Sequence, residues 1–333
     1  MKANLPEAWS LSLIVDETSG RLFTEEEINM EKIGLLVGME WSWPPAFIEE
    51  VEKRDEGVTA EYVKIGGSAM NEANPYAVIV DRISHEVPYY RSYLKNAVLQ
   101  GTRVVNNPFM WTADDKYFGA SFIAKMGLDS PKTVVLPNKD YIPGIDHQKS
   151  LRNLMFPIPW QELVNSVGGF PCILKDAHGG GWKEVYVCHS YEQLFQSYNQ
   201  SGLLTMVLQE FIRWEHYIRC MGIGQEQVLV MNYDPNTRRY THHDLSAEMY
   251  ERIVGDCLKI CRGFGYDMNT MEFAIRNDVP YAIDFMNPAP DMDVNSLGYE
   301  FHRWCVERMA DMCIQYARKP QPQVQEMRWW ELF

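Results

Sequence analysis

The sequence predicts a mixed α/β (α+β) protein built from two domains, or from three small ones. Three observations carry this. A continuous apolar run, IGLLV at 33–37, opens an alternation of strands and helices that lasts to about residue 110. From residue 172 the apolar segments become strand pairs separated by turns, among them CILKD and EVYVCHS around a glycine loop. The segment near 296–318 then reads as a closing helix.

The elements follow in order. Residues 1–32 are polar, carry Glu25, Glu26 and Glu27, and read as an N-terminal extension with one short hairpin. Residues 44–54 open at a Pro pair and read as a helix. EYVKIGG (61–67) and PYAVIVDRIS (75–84) are strands, 86–100 a helix, and TRVVNNP (102–108) a fourth strand, which gives a small open α/β domain over 33–111. A helix over 112–127 has Thr112 at its cap and Asp114 and Asp115 in its first turn. The segment 131–150 reads as loop, and 157–171 as a Pro-flanked helical piece. Strands at 172–176 and 184–190, a helix at 190–200 and a strand at 206–212 follow. A β-pair at 216–224 and 227–233, a helix at 245–263 and two strands around Asn277-Asp278-Val279 complete the chain, before a Trp-rich tail that reads as a docking segment, onto its own domain first and onto a dimer mate as the alternative.

Composition narrows the function classes. Lys plus Arg number 31 against 45 Asp plus Glu, a formal charge of -14, which disfavours nucleic acid and anionic membranes as partners. A bound phosphate therefore has to be met by a few placed cations, glycine amides and metal ions. No basic stretch precedes an apolar run at the N-terminus, and no run approaches a membrane span. The seven Cys are odd in number and include no CxxC, which points to reduced thiols and a cytoplasmic protein. Cys257 and Cys261, four apart on a helix, read as packing residues. A homodimer is the default assembly.

The acidic hairpin is the first candidate site. With a three-residue loop at 277–279, Arg276 pairs with Pro280 and Glu272 falls directly opposite Asp284. Two ionised carboxylates held side by side call for a cation between them, and Mg²⁺ takes such oxygen ligands together with nucleotide phosphates. Asn287 adds a neutral oxygen at the strand end. Phe273, Ile275, Ile283 and Phe285 are the apolar alternates, leaving the acids on the other face with Ala274 and Ala282. The plain alternative is a solvated hairpin.

Lys175, at the end of CILKD, precedes Gly179, Gly180 and Gly181, where backbone amides can approach a phosphate. This is no Walker A loop. Gln209, Glu210, Ile212 and Glu215 lie on a strand and the segment after it, an arrangement suited to adenine and ribose. An ordinary hairpin loop and an ordinary edge strand are the alternatives.

Lys before a helix, strand–Lys–glycine loop–strand, a Glu-bearing hinge and an acidic hairpin with Asn occur here in one order. That order resembles the ATP-grasp superfamily, which includes D-alanine–D-alanine ligase, glutathione synthetase, biotin carboxylase and the ribosomal-protein glutamate ligases. The resemblance covers about residues 33–315 and looks nearest to the RimK-like branch, through Asp115-Lys116, Gln209-Glu210-Phe211-Ile212 and Tyr217-Ile218-Arg219. It implies an ATP-grasp fold with an N-terminal Rossmann-like pre-ATP-grasp domain, a lid subdomain in 112–206 and a metal-bearing subdomain in 207–333. It implies that Lys116 and Lys175 bind ATP phosphates under Gly179–Gly181. It places adenine at Gln209, Glu210 and Ile212 and ribose at Glu215, Mg²⁺ (or Mn²⁺) at Glu272, Asp284 and Asn287, and Arg219 near an acyl phosphate. Two departures stand out. Asp284-Phe-Met-Asn287 replaces the family's Glu-x-Asn and is one residue longer. Asn287-Pro-Ala-Pro-Asp291 replaces its usual ending, which brings Asp291 or Asp293 into question as a ligand.

The chemistry so implied activates a carboxylate as an acyl phosphate and joins it to an amine, releasing ADP and phosphate. Small-molecule carboxylate and amine substrates are the expected partners. A small-molecule kinase and a non-catalytic nucleotide-binding module are the competing readings. The 235–246 segment, with Arg238, Arg239, His242 and His243, and the Tyr89, Tyr90, Arg91 and Tyr93 patch are further acceptor-site candidates, against solvated-loop and aromatic-packing alternatives.

Overall fold

The computed structural model describes residues 13–15, 22–24, 30–70, 72–110, 115–146, 149–180 and 183–319. Thr112, Asp114, Gly181 and the Trp-rich tail lie outside the described residues. Strands β1 (Leu13–Val15) and β2 (Leu22–Thr24) pair antiparallel as the one short hairpin the extension predicts.

The first sheet is parallel throughout. Strands β3 (Glu31–Leu36), β4 (Val58–Tyr62), β5 (Val78–Asp81) and β6 (Arg103–Val105) lie in the order β4-β3-β5-β6. β5 is buried at every position, as a strand covered on both faces must be. Helices α1 (Trp43–Arg54) and α2 (Pro88–Leu99) supply the cover, and each has proline in its first turn, where the missing N–H costs nothing. Tyr90 and Tyr93 pack beside α2's core, while Arg91 Nη2 donates to Ser84 O at 3.0 Å, so most of that patch is packing.

The second sheet is antiparallel. It contains β7 (Thr133–Val135), β8 (Cys172–Asp176), β9 (Val185–Cys188) and β10 (Met206–Glu210), in the order β7-β10-β8-β9. β7 falls inside the stretch that reads as loop, because three residues between prolines carry no measurable period. Helices α3 (Lys116–Lys125), α4 (Trp160–Ser166) and α5 (Tyr191–Gln200) accompany it. The cap of α3 is Asp115 rather than Thr112. Its carboxylate accepts from Tyr117 N at 2.8 Å and Phe118 N at 3.2 Å.

The third sheet has the order β13-β12-β11-β14-β15, from β11 (His216–Ile223), β12 (Gln227–Asp234), β13 (Arg239–His242), β14 (Met268–Arg276) and β15 (Val279–Asn287). One face is apolar along its length. Ile218, Cys220, Met271, Phe273 and Ile275 pack there on α6 (Ala247–Phe264), whose Cys257 and Cys261 are core residues, and on α3. The opposite face is divided. Met221, Ile223, Met231 and Met268 at one end join a core shared with α1 and with α8 (Tyr299–Arg318). The closing helix predicted near 296–318 is interrupted at Gly298, whose φ is 77°, so that a short α7 (Val294–Leu297) precedes α8. The other end of that face is polar and holds the candidate site. Among the described residues, no helix is long and apolar enough to cross a membrane.

The seam between the first and third sheets is tightly bonded. Asn106, just past β6, donates to Met268 O at 2.7 Å and Pro288 O at 2.8 Å. Its Oδ1 accepts from Asp267 N at 2.7 Å and Met268 N at 2.9 Å. Asp293 reaches across the same seam to the start of α1, where Oδ1 accepts from Trp43 N at 3.0 Å, Ser42 N at 3.1 Å and Ser42 Oγ at 2.7 Å. Asp291 in turn accepts from Asp293 N at 2.9 Å and from Ser296 Oγ. The two acids that the altered motif brings into question are thus occupied in holding backbone.

Candidate active site

The polar end of the third sheet is organised by strand register. Arg219 on β11 stands opposite Glu272 on β14, which stands opposite Asp284 on β15. Directly paired residues share a face, so a cation and two carboxylates form one row across three strands. The predicted pairing of Glu272 with Asp284 is present, but it arises differently. The turn has two residues, Asn277 and Asp278, both at positive φ (51° and 59°), and Arg276 pairs with Val279. A register shift between Phe273 and Glu272 then restores the pairing. It also changes the parity of the strand. Ala282 packs in the apolar core opposite Phe273, where the alternation from the predicted turn puts Ile283. A second shift pairs Asn287 with Thr270, so three residues on β15 span two on β14. The extra residue of Asp284-Phe-Met-Asn287 is absorbed there, and Asn287 returns to the face of Asp284 and Glu272.

Burial and hydrogen bonding set the charges along this row. Glu272 is only 8% exposed, and burial pushes its carboxyl up against the opposing effect of Arg219. Arg219 Nε lies 3.5 Å from Glu272 Oε1, and Tyr217 Oη donates to Glu272 Oε2. Burial and the nearby Glu272 carboxylate together drive the Tyr217 hydroxyl far above its ordinary range. The guanidinium of Arg219 donates to Tyr240 Oη at 2.7 Å and lies over the Tyr233 and Tyr240 rings, at 5.3 and 5.8 Å. Asp284, by contrast, is exposed. Replacing Arg219 by Leu is expected to cost about 3 kcal/mol of stability, because Glu272 is left buried without its cation. Urea unfolding measures this, and a loss below about 1 kcal/mol would mean that Glu272 is already neutral.

The second sheet faces this row. On β8, Cys172 and Leu174 point into that sheet's own core, so Ile173 and Lys175 point the other way. Lys175 is 7% exposed and donates from Nζ to Ile283 O at 3.2 Å, which bridges the two sheets next to Asp284. Burial depresses its ammonium to about 8, with Asp284 resisting and Lys116 reinforcing the shift. Lys116 enters from α3 and donates from Nζ to Gly179 O. Its backbone N also donates to Ala177 O at 3.0 Å, tying the helix to the glycine loop. Gly119, one turn along α3, lets the helix approach β15: a Cβ there would lie 2.6 Å from Met286 Cε and 3.3 Å from Phe285 Cε2. Gln209 pairs with Ile173 across β10 and β8, sharing their face with Lys175. Beside Gln209 the same face carries Ile173 and, next to it on β9, Val187, an apolar floor for a flat ring.

Comparison with known proteins agrees with this architecture. No family model matches the chain. Over 127 aligned residues it is 25% identical to mitochondrial pyruvate carboxylase of Rattus norvegicus, and equally to that of Homo sapiens. That match takes in 32% of this chain and only 11% of the carboxylase. Solved structures match over far more. D-alanine–D-alanine ligase from Bacillus anthracis, complexed with ATP, aligns with a TM-score of 0.61 at 15% identity, over 87% of this chain and 98% of the ligase. A RimK domain ATP-grasp protein from Sphaerobacter thermophilus aligns at 0.62 and 14% identity, over 85% and 99%. The ATP-grasp ligase PsnB, complexed with precursor peptide and AMPPNP, aligns at 0.58 and 14%, over 87% and 98%. The fold is ATP-grasp.

Within this ATP-grasp fold the sequence-predicted residues fall into two groups. Lys116, Lys175, Gly179, Arg219, Glu272, Asp284 and Asn287 gather where the second and third sheets face each other. Gly180 is exposed in the same loop. The hinge residues lie along β10 and just beyond it. Gln209 Nε2 donates to Thr133 Oγ1 at 2.8 Å. Glu210 is committed to Arg276 Nη2 at 3.2 Å, so its side chain is not free for a base. Ile212 is buried and Glu215 exposed. The acceptor candidates disperse: Arg238 and Arg239 are exposed, His242 bonds Glu300 at 3.1 Å, and His243 stacks on Tyr250. Tyr233 and Tyr240 escape the sequence reading, and Tyr217 enters it only as part of Tyr217-Ile218-Arg219, with no role of its own, although it lies two residues before Arg219 and therefore on its face.

The donor set suits a hard cation. Glu272, Asp284 and Asn287 offer only oxygens, and no group of three or more His, Cys, Asp or Glu able to hold a metal occurs among the described residues. Two carboxylates and an amide leave coordination to be completed by other oxygens, which matches Mg²⁺ held jointly with phosphates better than a resident protein-caged ion.

Proposed function

We propose that the chain is an ATP-dependent carboxylate–amine ligase, with Lys116, Lys175, Gly179 and Gly180 as the phosphate site and Glu272, Asp284 and Asn287 as the Mg²⁺ ligands. The observation that carries this reading is the bridge from Lys175 Nζ to Ile283 O, which sets a buried cation of one sheet beside the acidic row of another. The adenine ring rests on Ile173 and Val187, with Gln209 at its edge. Lys116 and Lys175 neutralise the terminal phosphates. The γ-phosphoryl group passes to a substrate carboxylate oxygen, and ADP leaves. The amine then attacks the acyl carbon, phosphate departs, and the amine proton goes to solvent. Arg219, held against the neighbouring rings of Tyr233 and Tyr240, keeps the acyl phosphate oxygens in place during the transfer. Mg²⁺, when bound, supplies further neutralisation of the phosphates. The protein's own contribution is positioning and fixed charge, and no covalent nucleophile is needed.

The test is nucleotide product analysis during a screen of amino acids, small dicarboxylates and peptides, with mass spectrometry of the acceptor. ADP and phosphate with an amide product are expected. AMP as the only nucleotide product overturns the mechanism, and a stable phosphorylated metabolite replaces it with the kinase reading. Lys175→Met, which keeps the packed chain and removes the charge, is expected to reduce ADP release by at least about 10²-fold.

A further inference from the structure

The seam between the first and third sheets contains a cleft of about 310 Å³, away from the acidic row. Its walls come from five separate places: Arg103 on β6, the β11–β12 turn at Gly224–Glu226, Arg262 on the last turn of α6, Asp267 just before β14, and Tyr316 on α8. The floor is rigid. Asp267 is 1% exposed and accepts from Arg103 Nη2 at 2.7 Å, Tyr316 Oη at 2.9 Å and Gln225 Nε2 at 3.3 Å. The turn above it is held in an unusual backbone, with Gly224 at φ 66° and Gln225, a long side chain, at φ 59°. That conformation aims Gln225 at Asp267.

The floor's charges are paired with one another, although Arg103 Nε has no hydrogen-bond partner among the described residues, and the rim's charges are not paired. Arg262 makes one hydrogen bond, from Nε to Gln225 O at 3.2 Å, and neither Arg262 nor Glu226 is in an ion pair among the described residues. One unpaired cation and one unpaired anion therefore line a single polar cleft at the small end of ligand-pocket volumes. We propose that this cleft is a second binding site, for a zwitterionic α-amino acid with a polar side chain. The ligand's carboxylate meets the Arg262 guanidinium and its ammonium meets the Glu226 carboxylate. Its side chain lies over the Gln225, Tyr316 and Arg103 floor. Such a ligand would join β6, the β11–β12 turn and α8, and would brace the seam. The site does not depend on the ligase reading, because it shares no residue with the acidic row or the glycine loop.

Calorimetric titration of L-glutamine into the full chain without ATP tests it, together with the des-amino and decarboxylated analogues. Wild type and Arg219→Lys are expected to bind equally. Arg262→Ala and Glu226→Gln, both exposed positions, are expected to weaken binding by tenfold or more while unliganded melting temperatures stay unchanged. Saturating L-glutamine is expected to raise the wild-type melting temperature by about 2 °C or more. Three results overturn the proposal: no binding to wild type, binding that survives both rim variants, or a des-amino analogue that binds as tightly as L-glutamine.

Discussion

Replacing Asp284 by Asn is expected to cut ADP release by on the order of 10³-fold while changing stability by less than about 1 kcal/mol. The two halves of this expectation have separate causes. Asp284 is exposed, so its removal leaves no cavity and no buried orphan. Its charge acts on two buried neighbours with opposite sign. It works against ionisation of Glu272 and in favour of the Lys175 ammonium. Losing it relieves the first and burdens the second, and the effects offset. Under the proposed function, however, the residues that would hold Mg²⁺ lose one of their two carboxylates, and no other residue in the row replaces it. Steady-state ADP release and thermal melts on one preparation measure both halves. Unchanged turnover would sink the metal assignment. A large loss of stability would mean that the hairpin is a structural element and that the acids' pairing has another purpose. Glu272→Gln is the informative contrast, because that side chain is buried against Arg219 and Tyr217 and should lose stability as well as turnover.

Asp293→Ala is expected to destabilise the protein by about 3 kcal/mol without touching the acidic row. The carboxylate satisfies the backbone N–H groups of Ser42 and Trp43, with Trp41 N at 3.3 Å on its second oxygen, and sits at the positive end of α1. Burial alone raises an acid's pKa. Here the hydrogen bonds from Trp43, Ser42 and Trp41 outweigh burial and hold the Asp293 carboxyl below its ordinary value. A depressed acid stabilises the fold in its ionised form. That contribution is complete above the unfolded-state value of about 4 and disappears as pH falls through the lower folded-state value. Urea unfolding at pH 7 and near pH 3 should therefore show a wild-type protein that loses stability in acid more steeply than the variant. Equal midpoints at pH 7 would remove Asp293 from the set of seam-holding residues.

Both cases show what the sequence carries and what it does not. The strand–helix alternation of 33–110 and the strand pairs beyond 172 are legible because periodicity is local. The Glu272–Asp284 pair is legible because both strands flank one short turn, although the two-residue turn and the shift after Phe273 compensate in a way no alternation rule foresees. The role of Asp293 is not legible, since its partner Trp43 is 250 residues away and nothing in either segment announces the contact. β13 is invisible for another reason. Arg-Tyr-Thr-His is four residues long and mostly exposed, yet its Tyr240 clamps Arg219. The apolar floor beside Gln209 reads in sequence as ordinary strand alternates, and only the pairing of β10, β8 and β9 turns Ile173 and Val187 into one surface.

The shift that returns Asn287 to the acidic face also bears on how such a chain tolerates length changes. A strand keeps side-chain parity, so one added residue ordinarily sends everything beyond it to the wrong side. Here Phe285 and Met286 both turn toward the apolar core, and the strand takes up the addition as a local kink. The hairpin behaves as a vernier with one spare tooth. A motif lengthened by one residue keeps its reading, and deleting Met286 would straighten the kink into plain alternation, which leaves the Asn on the face of Asp284. Position across the ladder, rather than distance along the chain, is the quantity this site conserves within itself.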